Sequence, residues 1–416
     1  MRSPLGFIIF TGFMLALDFY FYQAVKTVSQ GLSPKAKLII AIVYWGFTLL
    51  ALGGFMLFVF TEPQVLGKKI RTYLFATVIG LFLAKLTAMI FFLTDDIRRG
   101  IQWVAGKLLF NNTEVEKMSG EGISRSVFLS WLGIAAGGTL FSSLVYGFGN
   151  KYNYDVKRLQ LTYENLPSAF KGMKVVHISD IHSGSLLDRN AVAAGVQKIL
   201  AEQPDIIFFT GDLVNDQATE MDHLKHVFAQ LKAPMGVYST LGNHDYGDYV
   251  QWPIDGISKE QNLENIKNVH ADMGWKLLMN EHVVLEKDAQ QIAVIGVENW
   301  SARGRFPKHG KMQEAHAGAR DIPFKILLSH DPSHWEAEVK PLYSDVDLML
   351  SGHTHGMQFG VEIPGFRWSP VQYMYRQWAG LYEDAGQKLY VNRGFGFIGY
   401  PGRVGVLPEI TVLEFV

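Results

Sequence analysis

Four long apolar runs in the first 150 residues limit what this chain can become. Pro4 to Val25, Leu38 to Phe60, Thr72 to Leu93 and Val127 to Phe148 are each near the ~20 residues that cross a bilayer core as a helix. The second and fourth carry no charge at all. Buried helices of a large soluble protein could carry one such run, but four in succession, joined by short polar loops, read as a four-helix transmembrane domain over residues 1–149. Asp18 lies in the first run and Lys85 in the third, and helices one and three run in the same direction. Fourteen and thirteen residues from the starts of their runs, the two charges fall at nearly the same depth. A charge inside the membrane needs a partner, and an ion pair pinning two helices is the expected arrangement.

Orientation is less constrained. The loops after helices one and three carry Lys26, Lys35, Lys37, Arg98, Arg99, Lys107, Lys117 and Arg125. The other side carries Arg2, Lys68, Lys69, Arg71, Lys151, Lys157 and Arg158, so eight basic residues face seven. Ser124-Arg125-Ser126-Val127-Phe128-Leu129-Ser130 resembles a twin-arginine export signal lacking one arginine. That resemblance implies a cytoplasmic segment before the fourth helix, and an extracytoplasmic domain after it on a bacterial inner membrane.

Residues 150–416 have a different pattern. Short apolar runs bounded by Gly, Asp and Asn alternate with amphipathic stretches. Lys174 to Ile178, Ile206 to Thr210 and Gly236 to Leu241 read as strands, and Arg189 to Glu202, Thr219 to Lys232 and Glu260 to Met273 as helices. Further strands follow at Trp275 to Leu278, Val283 to Leu285, Ile292 to Val297, Phe324 to Leu328, Val346 to Leu350, Leu389 to Val391 and Ile410 to Phe415. Two packed sheets flanked by helices are expected. A net charge of −1 argues against nucleic-acid binding by bulk electrostatics. The absence of cysteine excludes thiolate metal sites.

Five of these strands end on chemistry-bearing residues. They are Asp180-Ile181-His182, Gly211-Asp212, Gly242-Asn243-His244-Asp245, Ser329-His330 and Gly352-His353-Thr354-His355. Taken singly, each is as easily a turn or a helix cap. Together they gather at the strand ends where α/β sheets bind ligands. His177, His223, His226, His270, His282, His309, His316 and His334 have no spacing that demands a ligand.

In this order the motifs resemble the calcineurin-like metallophosphoesterases, and the ending Asn392-Arg393-Gly394-Phe395-Gly396, Pro401-Gly402-Arg403 and Pro408-Glu409-Ile410 is similar to their membrane-anchored or exported bacterial branch. Many members have Gly-Gly-Gln after the second histidine; this chain has Gly356-Met357-Gln358. The resemblance implies an α/β, four-layer αββα metallophosphoesterase sandwich behind the four-helix transmembrane domain. It implies Asp212 as a bridge between two divalent metal ions, with Asp180, His182 and His355 completing one site and Asn243, His330 and His353 the other. His244, not a ligand in that family, is the candidate catalytic residue for protonating the leaving oxygen.

The chemistry stands without the family. Phosphate esters repel nucleophiles, and two cations roughly 3.5–4 Å apart both clamp phosphoryl oxygens and acidify a bridging water. Imidazole and oxygen donors without sulfur suit Mn, Fe or Zn. The expected function is hydrolysis of a phosphoester by a metal-bridging hydroxide, on a lipid-linked or envelope substrate. The family resemblance implies one alternative, cleavage of the UDP-2,3-diacylglucosamine pyrophosphate bond in lipid A synthesis, which some related phosphoesterases perform; another is a non-catalytic membrane sensor or scaffold. Arg393 and Arg403 are candidate phosphate contacts. The basic stretch Asn299 to Asp321 reads as a solvated loop or a substrate-facing lid. Phe366, Trp368, Tyr373, Met374, Tyr375, Trp378 and Tyr382, with Tyr249 and Trp252, read as core or as an aromatic lip that receives a lipid.

Overall fold

The computed structural model describes residues 4–61, 63–109 and 124–416. Arg2 and Lys117, which enter the charge comparison, lie outside the described residues. The chain divides into two units, Met1–Tyr146 and Gly147–Val416.

The first unit is built from α1 (Pro4–Val28), α2 (Pro34–Phe60), α3 (Pro63–Leu109) and α4 (Arg125–Gly147). All four contain stretches long and apolar enough to span a membrane. α2 starts four residues before its apolar run because Ser33 caps it, accepting from Ala36 N at 3.3 Å, with Pro34 in the first turn. α3 passes well beyond the expected Leu93. Its extension opens on charged residues paired one turn apart, Arg98 with Asp95 and Arg99 with Asp96, which carry the helix past the end of the apolar run. Lys85 and Asp18 form the expected ion pair, both buried. Tyr44 and Thr48 also donate to Asp18 Oδ1, at 3.0 and 2.8 Å.

The second unit stacks two six-stranded sheets. β1 (Asp155–Leu161), β2 (Lys174–Ile178), β3 (Ile206–Thr210), β4 (Val237–Thr240), β5 (Lys276–Leu277) and β14 (Glu409–Phe415) form one, in the order β1-β14-β2-β3-β4-β5. The other comprises β6 (Glu281–Lys287), β7 (Gln290–Gly296), β8 (Lys325–Leu328), β9 (Leu348–Ser351), β12 (Gly380–Asp384) and β13 (Gln387–Val391), in the order β12-β13-β9-β8-β7-β6. A separate hairpin pairs β10 (Val361–Ile363) with β11 (Phe366–Trp368).

Side-chain alternation explains the layers. In β3, Ile206 and Phe208 enter the core between the sheets, while Ile207 and Phe209 pack outward against α5 (Arg189–Ala201), α6 (Lys225–Phe228) and α7 (Lys259–Asp272). In β8 and β9, Ile326, Leu328, Leu348 and Leu350 join the same central core, while Leu327 and Met349 pack beneath Met312, Trp335 and Val339. Apolar burial on both faces of each sheet yields the expected four layers.

One expected element fails. Thr219 to Lys232 is not a single helix but a short 3₁₀ turn followed by the four residues of α6. Leu224, Val227, Phe228 and Leu231 have helical spacing and are all buried. Mixed turns satisfy that spacing equally well: Val227 N bonds back three residues to Leu224 O, and Leu231 N three to Phe228 O.

Candidate metal centre

β2, β3 and β4 run parallel, as do β8 and β9, so the residues that follow these five strands emerge together. Asp180, His182, Asp212, His353 and His355 all adopt left-handed backbone, with φ between 48° and 71°. Such non-glycine residues cost about 1–3 kcal/mol each and persist where surrounding structure enforces them, often at functional sites. The neighbouring glycines are steric requirements. A Cβ on Gly242 would collide with Asp212, and one on Gly352 with Ser179 and Asp180.

Two sets of donors result. Asp180, His182 and His355 have ligand atoms within 4.8 Å of one another, as do Asp212, His330 and His353. Asp212 Oδ2 lies between them, 3.4 Å from His182 Nε2 and 3.2 Å from His330 Nε2. His182 and His355 face each other through Nε2 at 3.1 Å, and His353 Nδ1 is 3.2 Å from His330 Nε2. Asn243 joins them through an amide whose Nδ2 donates to Tyr249 OH at 2.8 Å, leaving Oδ1 buried without a partner. Two convergent sets of oxygen and imidazole donors, with a buried amide oxygen left unpartnered, fit divalent cations.

Outer contacts fix these side chains. His330 Nδ1 meets Thr210 O at 2.7 Å, which points Nε2 at the centre. His353 Nε2 meets Tyr375 OH at 2.8 Å, and that hydroxyl reaches Asp331 at 3.3 Å. Both oxygens of Asp180 accept from His353 N, at 3.0 and 2.9 Å, and Asp212 Oδ1 accepts from His244 N at 2.8 Å. Burial opposes ionisation of Asp180, yet the imidazoles of His355 and His330 hold its carboxyl well below the usual range. Burial works against the charged form of His330 too, but Asp212 and Asp180 outweigh it and raise the imidazole to about 10. A cation bound at that Nε2 must therefore displace a proton.

His244 stands beside this centre. Its Nδ1 meets Asn215 O at 2.7 Å, and its ring lies 4.9 Å from that of His182 and 4.4 Å from Tyr249. Asp245, quoted in the sequence only as part of a motif, ties two of the loops together. It accepts from Asp212 N at 2.9 Å, Leu213 N at 2.8 Å and Gly242 N at 2.9 Å, and burial, with Asp212 beside it, pushes its carboxyl up to about 7. A carboxylate following Gly-Asn-His was the available signal. Asp331, directly after Ser329-His330, offered the same signal, whereas Tyr249 and Tyr375 were marked only as core or lip and nothing local tied them to Asn243 and His353.

Several expectations need correction. Arg393 is buried and paired with Glu409 and Glu362, and Arg403 donates to the carbonyls of His355, Arg393, Gly394 and Gly396. Both guanidiniums brace the loops behind the centre rather than face a substrate. Tyr375 and Trp378 are buried, so they are core, while Phe366, Tyr373 and Tyr249 are exposed. Within the Asn299 to Asp321 stretch, Arg303 lies over the Tyr375 ring at 4.3 Å and Phe306 sits edge-on to His353 at 4.7 Å. Met357 takes φ 53°, a conformation natural to glycine, with its side chain exposed.

Comparison with known proteins agrees with this geometry. Residues 173–357 match the family model "Calcineurin-like phosphoesterase", and residues 1–150 match "Probable Calcineurin-like phosphoesterase, transmembrane domain". The chain is similar to a Danio rerio "Transmembrane protein with metallophosphoesterase domain", 29% identical over 316 residues, 74% of this chain and 66% of that one. It is 28% identical over 298 residues to the Bacillus subtilis "Uncharacterized metallophosphoesterase YkuE", covering 70% of this chain and 96% of that one. "Phosphodiesterase YaeI" of Escherichia coli is 26% identical over 246 residues, 58% of this chain and 82% of that one.

Proposed function

We infer the reaction of this chain from its membership of the calcineurin-like phosphoesterases: it hydrolyses phosphoester bonds, on a substrate that is lipid-linked or part of the cell envelope. The observation that carries this is the convergence of six oxygen and imidazole donors from four strand ends in two sets of three, with the buried, unpartnered Asn243 Oδ1 supplied by a fifth. Asp180, His182, Asp212 and His355 would hold one divalent cation, and Asp212, Asn243, His330 and His353 a second, with Mn, Fe or Zn the best fit to the donors. When bound, such cations neutralise phosphoryl oxygens and acidify water.

The remaining work falls to the chain's own side chains. The Asn215 carbonyl engages Nδ1 of His244, which leaves Nε2 to carry a proton to the departing oxygen. Tyr249 holds the Asn243 amide with its oxygen inward. Arg303, over Tyr375, adds positive charge beside the centre for an anionic substrate. The catalytic unit is assigned to the extracytoplasmic side.

Purified protein stripped with chelator and reloaded with Mn, Fe or Zn should regain hydrolysis of phosphoesters from a panel of monoesters, diesters and lipid-borne phosphates. Failure on every member after full metal loading would favour the sensor or scaffold reading. Orientation is tested in this cysteine-free chain with single cysteines at Asn150 and Gln30. Labelling from outside at Asn150 and protection at Gln30 is expected. The reverse pattern would put catalysis in the cytoplasm and favour the UDP-2,3-diacylglucosamine reaction.

A further inference from the structure

The second unit exposes eleven large apolar side chains, and six of them fall between Met357 and Met374. The register of the β10–β11 hairpin accounts for three. Val361 pairs with Trp368 and Ile363 with Phe366, so these four project from one face, and Glu362 with Arg367 from the other. The charged face is turned inward and satisfied. Glu362 accepts from Arg393 at 2.6 Å, while Arg367 donates to Ala379 O and lies 5.1 Å over the Trp378 ring. The outward face keeps no charge, with Ile363 57% and Phe366 54% exposed and the Pro364-Gly365 turn exposed between them.

A clustered apolar face of this kind marks an interaction surface. Its chemistry says which. Trp368 directs Nε1 at Tyr373 OH, 3.5 Å away, so polar tips accompany apolar bodies. That combination favours the boundary between lipid and water, and four helices long and apolar enough to cross a membrane give the same chain a bilayer partner. Met357, two residues after His355, is also exposed, and it holds a left-handed backbone that glycine would adopt unstrained.

We propose that the β10–β11 hairpin is a membrane-contact element, whose Val361, Ile363, Phe366 and Trp368 face beds into the lipid–water interface and holds the mouth of the metal centre at headgroup height. This deepens the phosphoesterase reading and rests on it for one consequence: the substrate's phosphoryl group is presented from the lipid surface.

The test uses the full chain in lipid nanodiscs. Single cysteines from Ile363→Cys, Phe366→Cys and, as an exposed reference at the end of β6, Lys287→Cys carry a polarity-sensitive fluorophore. Labels at 363 and 366 should be quenched by spin-labelled lipid and shielded from iodide, and the label at 287 the reverse. Iodide quenching at all three positions would overturn the proposal. So would self-quenching between labels at 363 on two copies, which would make the face a contact between chains. A second arm measures turnover of Ile363→Asp/Phe366→Asp. Its kcat/KM on a vesicle-borne phospholipid should fall roughly tenfold or more, with a soluble aryl phosphoester unaffected; equal losses on both would overturn the proposed role. Lipid quenching at 363 and 366, together with an unsubstituted, fully metal-loaded chain that hydrolyses no member of the phosphoester panel, would uphold the contact and refute the phosphoesterase reading alone.

Discussion

Each unit buries a cluster of charged and polar side chains. In the membrane unit, Asp18 accepts from Lys85, Tyr44 and Thr48. One anion meets one cation and two hydroxyls, which is how a charge is accommodated in a place that cannot solvate it. In the catalytic unit, Asp180 and Asp212 face His182, His330, His353 and His355, with ring nitrogens opposed to one another and Asn243 Oδ1 left over. The first cluster is complete within the protein, and the second is complete only with something added. Arg393 with Glu409 and Glu362 is of the first kind, although in sequence both arginines look like phosphate forks. Burial and charge do not separate a site from a brace, and neither does a single unpartnered atom, since Arg393 Nε and Arg403 Nε are buried without partners too; the convergence of several oxygen and imidazole donors does.

The largest effect that can break this comparison is expected at Asp212. Asp212→Asn removes the charge between the two donor sets, so metal affinity should fall on the order of 100-fold or more and hydrolysis with it. Metal content by mass spectrometry, measured beside turnover, checks this. Full metal loading of the variant would show that Asp212 is not the shared carboxylate.

His244→Ala separates proton delivery from metal holding. Turnover should drop roughly 10²–10⁴-fold while metal content stays at the parent value. Loss of metal would make His244 a ligand and redraw the centre.

In the membrane unit the expected loss is of stability. Lys85→Ala leaves Asp18 buried without its cation and should cost about 3–5 kcal/mol, read as thermal unfolding in detergent with metal content unchanged. Asp18→Asn combined with Lys85→Met should recover most of that, because neither charge is then stranded. If the double variant folded well but lost hydrolysis, the pair would be functional and the contrast between the clusters would fail.

What was legible in sequence was whatever depends on neighbours along the chain. The donors at five strand ends could be read because an apolar run and the residue closing it are contiguous, and the membrane helices because a span is one uninterrupted stretch. Asp18 with Lys85 was legible across 67 residues only because bilayer depth converts position in a span into height. Tyr375 behind His353, Asp331 behind Tyr375, and Glu362 against Arg393 were not, since nothing local marks partners 22, 44 and 31 residues apart. The hairpin's outward face was read only in part, with Phe366 and Trp368 left between core and lip and Val361 and Ile363 unmarked. The seven aromatic or apolar residues from Phe366 to Tyr382 read alike whether they fill a core, as Trp378 does, or face out, as Phe366 does.

His270 gives the smallest expected effect and the sharpest boundary for the comparison. Its Nε2 is buried without a partner, as Asn243 Oδ1 is, but no other donor converges on it. Nδ1 meets Ser239 Oγ at 3.0 Å, and the ring packs near Phe209 and Trp275. An orphaned atom alone should be a structural cost and not a site. Burial pushes this imidazole down to about 3, whereas an unfolded histidine titrates near ~6.5. Between those values the unfolded chain binds a proton that the folded chain does not. The contribution is therefore fully present above pH ~6.5 and is lost as pH falls toward 3, by at most about 1.4 kcal/mol per pH unit. His270→Gln keeps a partner for Ser239 and removes the titration. In urea unfolding with metal content held equal, the parent should lose about 2 kcal/mol more than this variant between pH 7.5 and pH 5, while turnover at pH 7.5 stays within about twofold. Parallel stability losses would mean that His270 is protonated in the folded state. A collapse of turnover would mean that a single orphaned atom, without convergence, is enough to make a site.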